Sequence, residues 1–152
     1  MLVKRLLCVL AAALLPVPVL ASPARAEAVV PFRVAAGGCP GAITEGTLTW
    51  AGDEVVKVEG YAIEHTAIPS CTPERGFHSV AFRAYDGDTQ IAQQSFYVPP
   101  DRPDLSLELA APQGTAVDRV TVQICQFRVR PPGSTPLLDI SCLVPAQYRP
   151  PA

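Results

Sequence analysis

The residues best suited to acid–base or metal chemistry are the two histidines of the chain, His65 and His78. His78 could act as a base for Ser70 or Ser79, or bind a metal together with Glu64 and His65. A nucleophilic site also needs a serine on a strained turn and a third group that orients the histidine. No Gly-x-Ser-x-Gly motif occurs. The pattern favours histidines that are ordinary strand residues, so we predict no catalytic residue and no enzyme.

Three aspartates suggest a calcium site, because Asp86 and Asp88 lie two residues apart and Asp53 lies in another turn sequence. A calcium loop needs several oxygen ligands at set intervals and a bidentate carboxylate that closes the site. Asp86-Gly-Asp88 supplies two ligands and then ends. Turn formation explains all three residues, since Asp and Gly tolerate positive φ. We therefore expect no metal and no cofactor.

Four aromatic residues could stack on a sugar if several of them faced solvent together: Trp50, Tyr61, Tyr85 and Tyr97. Trp50 shares a predicted strand face with Leu48, which favours a place in the core. Tyr85 and Tyr97 flank the Asp86-Gly87 turn, and we expect them to pair across that hairpin.

The segment from Thr66 to Gly76 is long for a connection between strands, and it contains two prolines and Cys71. A rigid loop braced by a disulfide binds a partner at low entropic cost, as the loops of secreted protease inhibitors do. A well-anchored connector is the alternative reading. The candidate interaction residues are Ile68, Pro69, Ser70, Thr72, Pro73, Glu74 and Arg75.

The first 26 residues have the three parts of a secretory signal peptide. Lys4 and Arg5 provide a positive start, Leu6 to Leu15 is an uninterrupted apolar run, and Ala24-Arg-Ala26 is a cleavage sequence. A second cleavage sequence ends at Ala21. Ten apolar residues are too few to span a bilayer, which takes about 20. We predict cleavage after Ala26 and a released extracellular protein without a membrane anchor.

Cleavage would also change the composition of the protein. It removes three of the 12 basic residues and none of the 14 acidic ones, which leaves a net charge of −5 on 126 residues. An acidic surface argues against a nucleic-acid partner. The scarcity of Lys and the absence of Asn are typical of a GC-rich bacterial coding sequence. An extracellular protein is the expected class of partner, and the oligomeric state stays open.

Four cysteines remain after cleavage, which indicates two disulfides with three possible connectivities. Gly133 and Ser134 lie midway between Cys125 and Cys142, in a Pro-rich turn sequence. A hairpin folded there would place these two cysteines opposite each other. Cys39 would then pair with Cys71 by default. A zinc site is disfavoured, because there is no CxxC pair and no histidine at ligand spacing from a cysteine.

Alternation of apolar and polar residues predicts seven or eight short strands and no helix. Asp86-Gly87 is the strongest hairpin signal. After Gly60 the apolar phase shifts by one residue to Tyr61, which suggests a β-bulge. A similar phase shift occurs near Cys125. We predict one all-β domain over residues 27–146, a small antiparallel β-sandwich with two disulfides, and a frayed tail over 147–152.

The order of Cys39, Trp50 and Cys125 is similar to the Cys…Trp…Cys order of immunoglobulin domains. However, Cys39 lies in a Gly/Pro turn sequence, and Gln123 stands where those domains have a tyrosine. An immunoglobulin-like architecture is therefore an open alternative, and no family is assigned.

Four functions follow from this reading. The first is a secreted, non-catalytic binding module that uses the loop over 66–76 or the turn over 131–136. The second is a secreted protease inhibitor on the same scaffold. A structural envelope protein and a small hydrolase are the remaining two, and the hydrolase has the least support because no set of ionisable groups converges.

Overall fold

The computed structural model describes residues 27–65 and 76–151, which form nine β-strands. This part of the chain contains no helix that could cross a bilayer. The predicted signal peptide lies outside the described residues. The strands are β1 (Ala28–Ala36), β2 (Gly41–Ala51), β3 (Val55–His65), β4 (Gly76–Asp86), β5 (Thr89–Val98), β6 (Asp104–Ala110), β7 (Arg119–Val129), β8 (Leu138–Cys142) and β9 (Ala146–Tyr148).

The strands form two antiparallel sheets that pack face to face, which confirms the predicted β-sandwich. One sheet has the order β1-β2-β3-β6; the other has the order β5-β4-β7-β8, with β9 also paired to β7. In constant-type immunoglobulin domains the second and third strands lie in different sheets. Here β2 pairs with β3. The resemblance to immunoglobulin domains is thus limited to the two-sheet architecture.

The core lies between the sheets and follows from period-two alternation. Side chains of a strand point to opposite faces in turn, so one set of alternate residues becomes buried. In the four-stranded sheet Leu48 and Trp50 are buried, and the Trp50 Nε1 donates a 3.0 Å hydrogen bond to the Val117 carbonyl oxygen. In the other sheet Phe82 is buried, and its ring meets Phe32 edge-on at 5.5 Å between centroids. The prediction of Trp50 as a core residue is confirmed.

Two predicted hairpins are present. Asp86 pairs with Thr89 around Gly87, which has a φ of 57°, a conformation that glycine adopts without steric cost. The turn at Gly133 brings Cys125 opposite Cys142, and these two cysteines form the predicted disulfide. A bridge that closes a loop of this length contributes about 3 kcal/mol to stability.

Of the second predicted disulfide, the structure describes one of the two cysteines. Cys39 is disulfide-bonded. Cys71, the partner predicted for it, lies outside the described residues, so the pairing of Cys39 with Cys71 stays a prediction.

The predicted bulge at Gly60 is wrong. Strand β3 keeps a continuous register with both neighbours, and Gly60 lies opposite Gly46. The apolar phase shifts there because Tyr61 is on the outer face of the sheet, while Ala62 continues the buried set. A glycine is required at position 60 for a different reason, because a Cβ there would collide with the Glu45 carbonyl oxygen. A register shift occurs instead in the pairing of β4 with β5, between Ala84 and Tyr85.

The prediction of a frayed tail over 147–152 is wrong for its first residues. Gln147 and Tyr148 belong to β9, which pairs with β7. The Tyr148 ring lies 6.3 Å from the Phe32 ring, and its hydroxyl donates to the Arg33 carbonyl oxygen at 3.3 Å. Tyr148 thereby joins the end of the chain to β1, the first strand of the opposite sheet.

Replacement of Gly60 by Ala should destabilise the domain by about 3 kcal/mol, because the new methyl group can fit only if two strands move apart. Gly37→Ala is the matched control, since a Cβ at Gly37 meets no atom within 4 Å. Urea unfolding of both variants measures the difference. Equal midpoints for the two variants would contradict the close approach of β2 and β3.

Candidate functional site

The interaction loop predicted from the sequence lies outside the described residues from position 66 to 75. The structure describes only its two ends. Strand β3 ends at His65, and β4 begins at Gly76. None of the seven predicted loop residues can therefore be placed, and the interaction loop stays a prediction.

A buried pair of Glu64 and His78 joins the two strands from which the loop departs. One carboxylate oxygen, Oε1, lies 2.9 Å from both the backbone nitrogen and the Nδ1 of His78. A carboxylate only accepts hydrogen bonds, so Nδ1 is the donor. The side chains are 1% exposed for His78 and 12% for Glu64. The Glu64 N–H in turn donates to the Pro99 carbonyl oxygen at 3.1 Å. The base of the loop is thus held by hydrogen bonds on both strands.

This pair bears on the hypothesis that His78 acts as a base for a serine or binds a metal together with Glu64. Glu64 does contact His78, and His78 is buried on the core face as its position in the strand predicts. Ser79 points to the opposite face of β4, and Ser70 lies outside the described residues. The His78 Nε2 has no hydrogen-bond partner in the described part of the chain. The described geometry therefore pairs the histidine with a carboxylate but with no hydroxyl nucleophile.

The aspartates of the calcium hypothesis take part in turns. Asp86 and Asp88 flank Gly87, whose N–H donates to the Asp118 Oδ2 at 3.1 Å. Over residues 27–65 and 76–151, no group of three or more His, Cys, Asp or Glu side chains could hold a metal ion. The side-chain contact to this hairpin thus comes from Asp118, which is not one of the three aspartates of the calcium hypothesis.

The aromatic residues do not form one platform. Tyr61 lies under the Arg102 guanidinium at 3.6 Å, on the four-stranded sheet. Tyr85 pairs in register with Gln90, and its ring contacts Arg119. Tyr97 pairs with Ser79. The predicted contact of Tyr85 with Tyr97 across the hairpin is therefore wrong, because the two side chains lie at opposite ends of the strands.

The outer faces of the two sheets differ in charge. Alternation places four carboxylates and two cations on the outer face of the four-stranded sheet. They are Glu45, Glu59, Asp104, Glu108, Arg33 and Lys57. Among described strand positions on the outer face of the five-stranded sheet, the charged ones are Arg83 and Arg119. The first face is an ordinary solvated surface, whereas the second carries no strand carboxylate.

An exposed apolar surface, here called the outer stripe, crosses this second face. Phe77 stacks on Phe127 at 4.7 Å between centroids, and Tyr97 lies 5.7 Å from Phe77. Ile140 is opposite Phe127 in the register, and it is 55% exposed. The members of the outer stripe are Phe77, Tyr97, Phe127, Val129, Leu138 and Ile140. Surface patches of contiguous apolar residues mark interaction sites in soluble proteins.

Most of the exposed large apolar residues lie in one segment of the chain. Of the eight that are exposed in the described residues, six lie between positions 129 and 144. They are Val129, Leu137, Leu138, Ile140, Leu143 and Val144. Isolated apolar residues on a surface are common, but such a concentration in one hairpin is not. The disulfide between Cys125 and Cys142 holds this hairpin together.

The outer stripe had a signal in the sequence that the alternation pattern alone did not explain. The apolar phase shifts near Cys125, from Ile124 to Phe127. Strand β7 keeps a continuous register with β4 through this region. The phase shift therefore marks the point where the apolar residues of β7 move from the core face to the outer face.

An apolar groove between β5 and β6 is a weaker candidate. Phe96, Leu105 and Leu107 line it where the edges of the two sheets diverge, and it encloses about 300 Å³. This volume is at the lower limit of those typical for small-molecule sites.

Three comparisons with known proteins found no match: no family model, no curated protein and no solved structure matches the chain. The outer stripe is thus identified from its own residues alone.

Replacement of Glu64 by Ala should destabilise the domain by about 2 kcal/mol, because two buried donors of His78 lose their acceptor. Glu64→Gln keeps an acceptor oxygen and should lose less. Glu59→Ala, an exposed carboxylate of the same strand, should change stability by less than about 0.5 kcal/mol. Chemical denaturation compares the three variants. A loss for Glu64→Ala no larger than that for Glu59→Ala would show that the pair is not structural.

Proposed function

We propose that this protein is a secreted, non-catalytic interaction module that binds another extracellular protein through the outer stripe. The observation that carries this proposal is the concentration of exposed apolar side chains on one face of the five-stranded sheet. On that face Tyr97 is 51% exposed and Val129 is 50% exposed. Buried interface centres are enriched in such aromatic residues and depleted in carboxylates, and the outer face of this sheet has both properties.

The rigidity of this face supports binding. Phe77 and Phe127 are fixed by their mutual stacking, with planes only 7° apart. The disulfide fixes β8 against β7. A side chain that is already ordered loses little conformational entropy on binding, so more of its contact energy appears as affinity.

Secretion is part of the proposal and has two supports. The first is the signal-peptide pattern of residues 1–26. The second is the disulfide between Cys125 and Cys142, which is compatible with an extracellular protein because such bonds persist in oxidising compartments.

A protease inhibitor that uses the loop over 66–76 is the second candidate. The feature that favours it is the buried pair of Glu64 and His78, which fixes the strands at both ends of the loop. An inhibitory loop needs such a rigid base, because flexibility of the loop would lower its affinity.

Substitution of Tyr97 by Lys should weaken capture of the partner about tenfold or more, because it places a charge within the apolar surface. The oxidised protein, purified after export of the full chain, is immobilised and exposed to the extracellular fraction of the organism that produces it. Retained proteins are quantified by mass spectrometry.

Val29→Lys is the matched control, because Val29 is 57% exposed on the other sheet. Capture that is unchanged by Val29→Lys and lost with Tyr97→Lys supports the outer stripe. Equal capture by both variants would overturn it. Retention of a serine protease that depends on Ser70 or Arg75, and not on Tyr97, would favour the inhibitor instead.

A further inference from the structure

The backbone of β8 presents hydrogen-bonding groups on two sides, and the register shows which residues use which side. The Arg130 N–H donates to the Leu137 carbonyl oxygen, and the Leu143 N–H donates to the Ile124 carbonyl oxygen. In an antiparallel ladder, hydrogen-bonded residues alternate with residues whose backbone groups point away. Between Leu137 and Leu143, three β8 residues have backbone N–H and C=O groups that point away from β7. They are Leu138, Ile140 and Cys142.

These three residues form an open edge of the five-stranded sheet, since no described strand lies beyond β8. An open edge can pair with another strand unless the sequence prevents it. On the four-stranded sheet, Pro31 removes a donor from β1, and β6 carries Asp104 and Glu108. Strand β8 has neither proline nor paired charges on its outer face. Its Leu138 and Ile140 side chains are exposed and apolar.

We propose that β8 pairs with β8 of a second copy of this chain, in an antiparallel arrangement with the two-fold axis at Ile140. In this register Ile140 lies opposite Ile140 of the second copy, and Leu138 lies opposite Cys142. All three residues with outward-pointing backbone groups then face one another, so every donor meets an acceptor. The two five-stranded sheets become one continuous sheet.

The charges of β8 suit this register. Asp139 is the single acidic residue of the strand, and it would face Ser141 of the second copy rather than another Asp139. The Asp139 Oδ2 already accepts from the Arg130 guanidinium at 3.1 Å within its own chain. The edge therefore brings no unpaired like charges together, which an isologous interface requires.

The length of the segment also suits a two-fold axis at its centre. In this register Pro136 would lie opposite Val144 of the second copy at each end of the pairing, and it lacks the backbone donor that would extend it. The paired segment is thus limited to residues 137–143. Leu137 and Leu143 lie at its two ends, with 61% and 37% of their surface exposed, and would be opposite each other across the axis.

The dimer is independent of the partner proposed above, because β8 pairs through its edge and the outer stripe stays on the open face. Two copies would place their outer stripes side by side on one surface. A bivalent surface of this kind binds a repeated or dimeric partner more tightly than one stripe alone.

Sedimentation equilibrium of the oxidised protein tests the pairing directly. We expect a dimer at high micromolar concentration and dissociation on dilution. Ile140→Pro should weaken the dimer about tenfold or more, because it removes one edge donor from each copy. The fold should survive, since the Ile140 N–H points away from β7, and circular dichroism checks this. Val29→Thr, on the edge strand of the other sheet, should leave the dimer unchanged.

A charge-swap experiment separates two-fold pairing from other contacts. Ile140→Lys and Ile140→Glu should each be monomeric, because like charges would lie directly opposite across the axis. A mixture of the two variants should form a heterodimer. A monomeric wild type, or a mixture that stays monomeric, would overturn the proposal. In a monomeric protein, loss of partner capture by Ile140→Pro but not by Ile140→Ala, which keeps the edge N–H, would assign the edge to a strand of another protein.

Discussion

The packing of two apolar sheet faces against each other is the constraint on which the rest of this structure depends. Phe32 and Phe82 meet across the interface at 5.5 Å, and the aliphatic residues around them exclude water from both inner faces. A side chain that points inward must be apolar or paired, as His78 is with Glu64. Side chains on the outer faces are free of this requirement, so their composition depends instead on solubility and on binding.

The two outer faces use this freedom differently. The four-stranded sheet distributes charges of both signs over its surface, for example in the 3.2 Å ion pair of Arg33 with Glu45. The five-stranded sheet exposes stacked aromatic rings and aliphatic residues around Phe127 and Ile140. Charged groups are strongly hydrated and costly to desolvate, whereas apolar surface gains free energy when it is covered. The second face is therefore the one suited to association, whether with a partner protein or with a second copy.

Much of the fold was predictable because local rules operate along each strand. The Asp86-Gly87 turn, the burial of Leu48 and Trp50, and the Cys125–Cys142 bridge follow from turn chemistry and alternation. One of the errors, the bulge predicted at Gly60, has a general cause. A shift in apolar phase has the same appearance in a sequence when a strand bulges and when its apolar residues move to the outer face. Tyr61 and Phe127 are cases of the second kind, and only a continuous register distinguishes them.

The sequence by itself determined the all-β class, the main turns, the residues of the core and one disulfide. Each of these depends on residues that are close in the chain or on a period of two. The tertiary structure alone decided which strands are neighbours, that Tyr148 contacts Phe32, and that Glu64 meets His78. It also decided that Phe77, Tyr97 and Ile140 share one exposed face. These contacts join residues far apart in sequence, and no local pattern records the order in which strands associate.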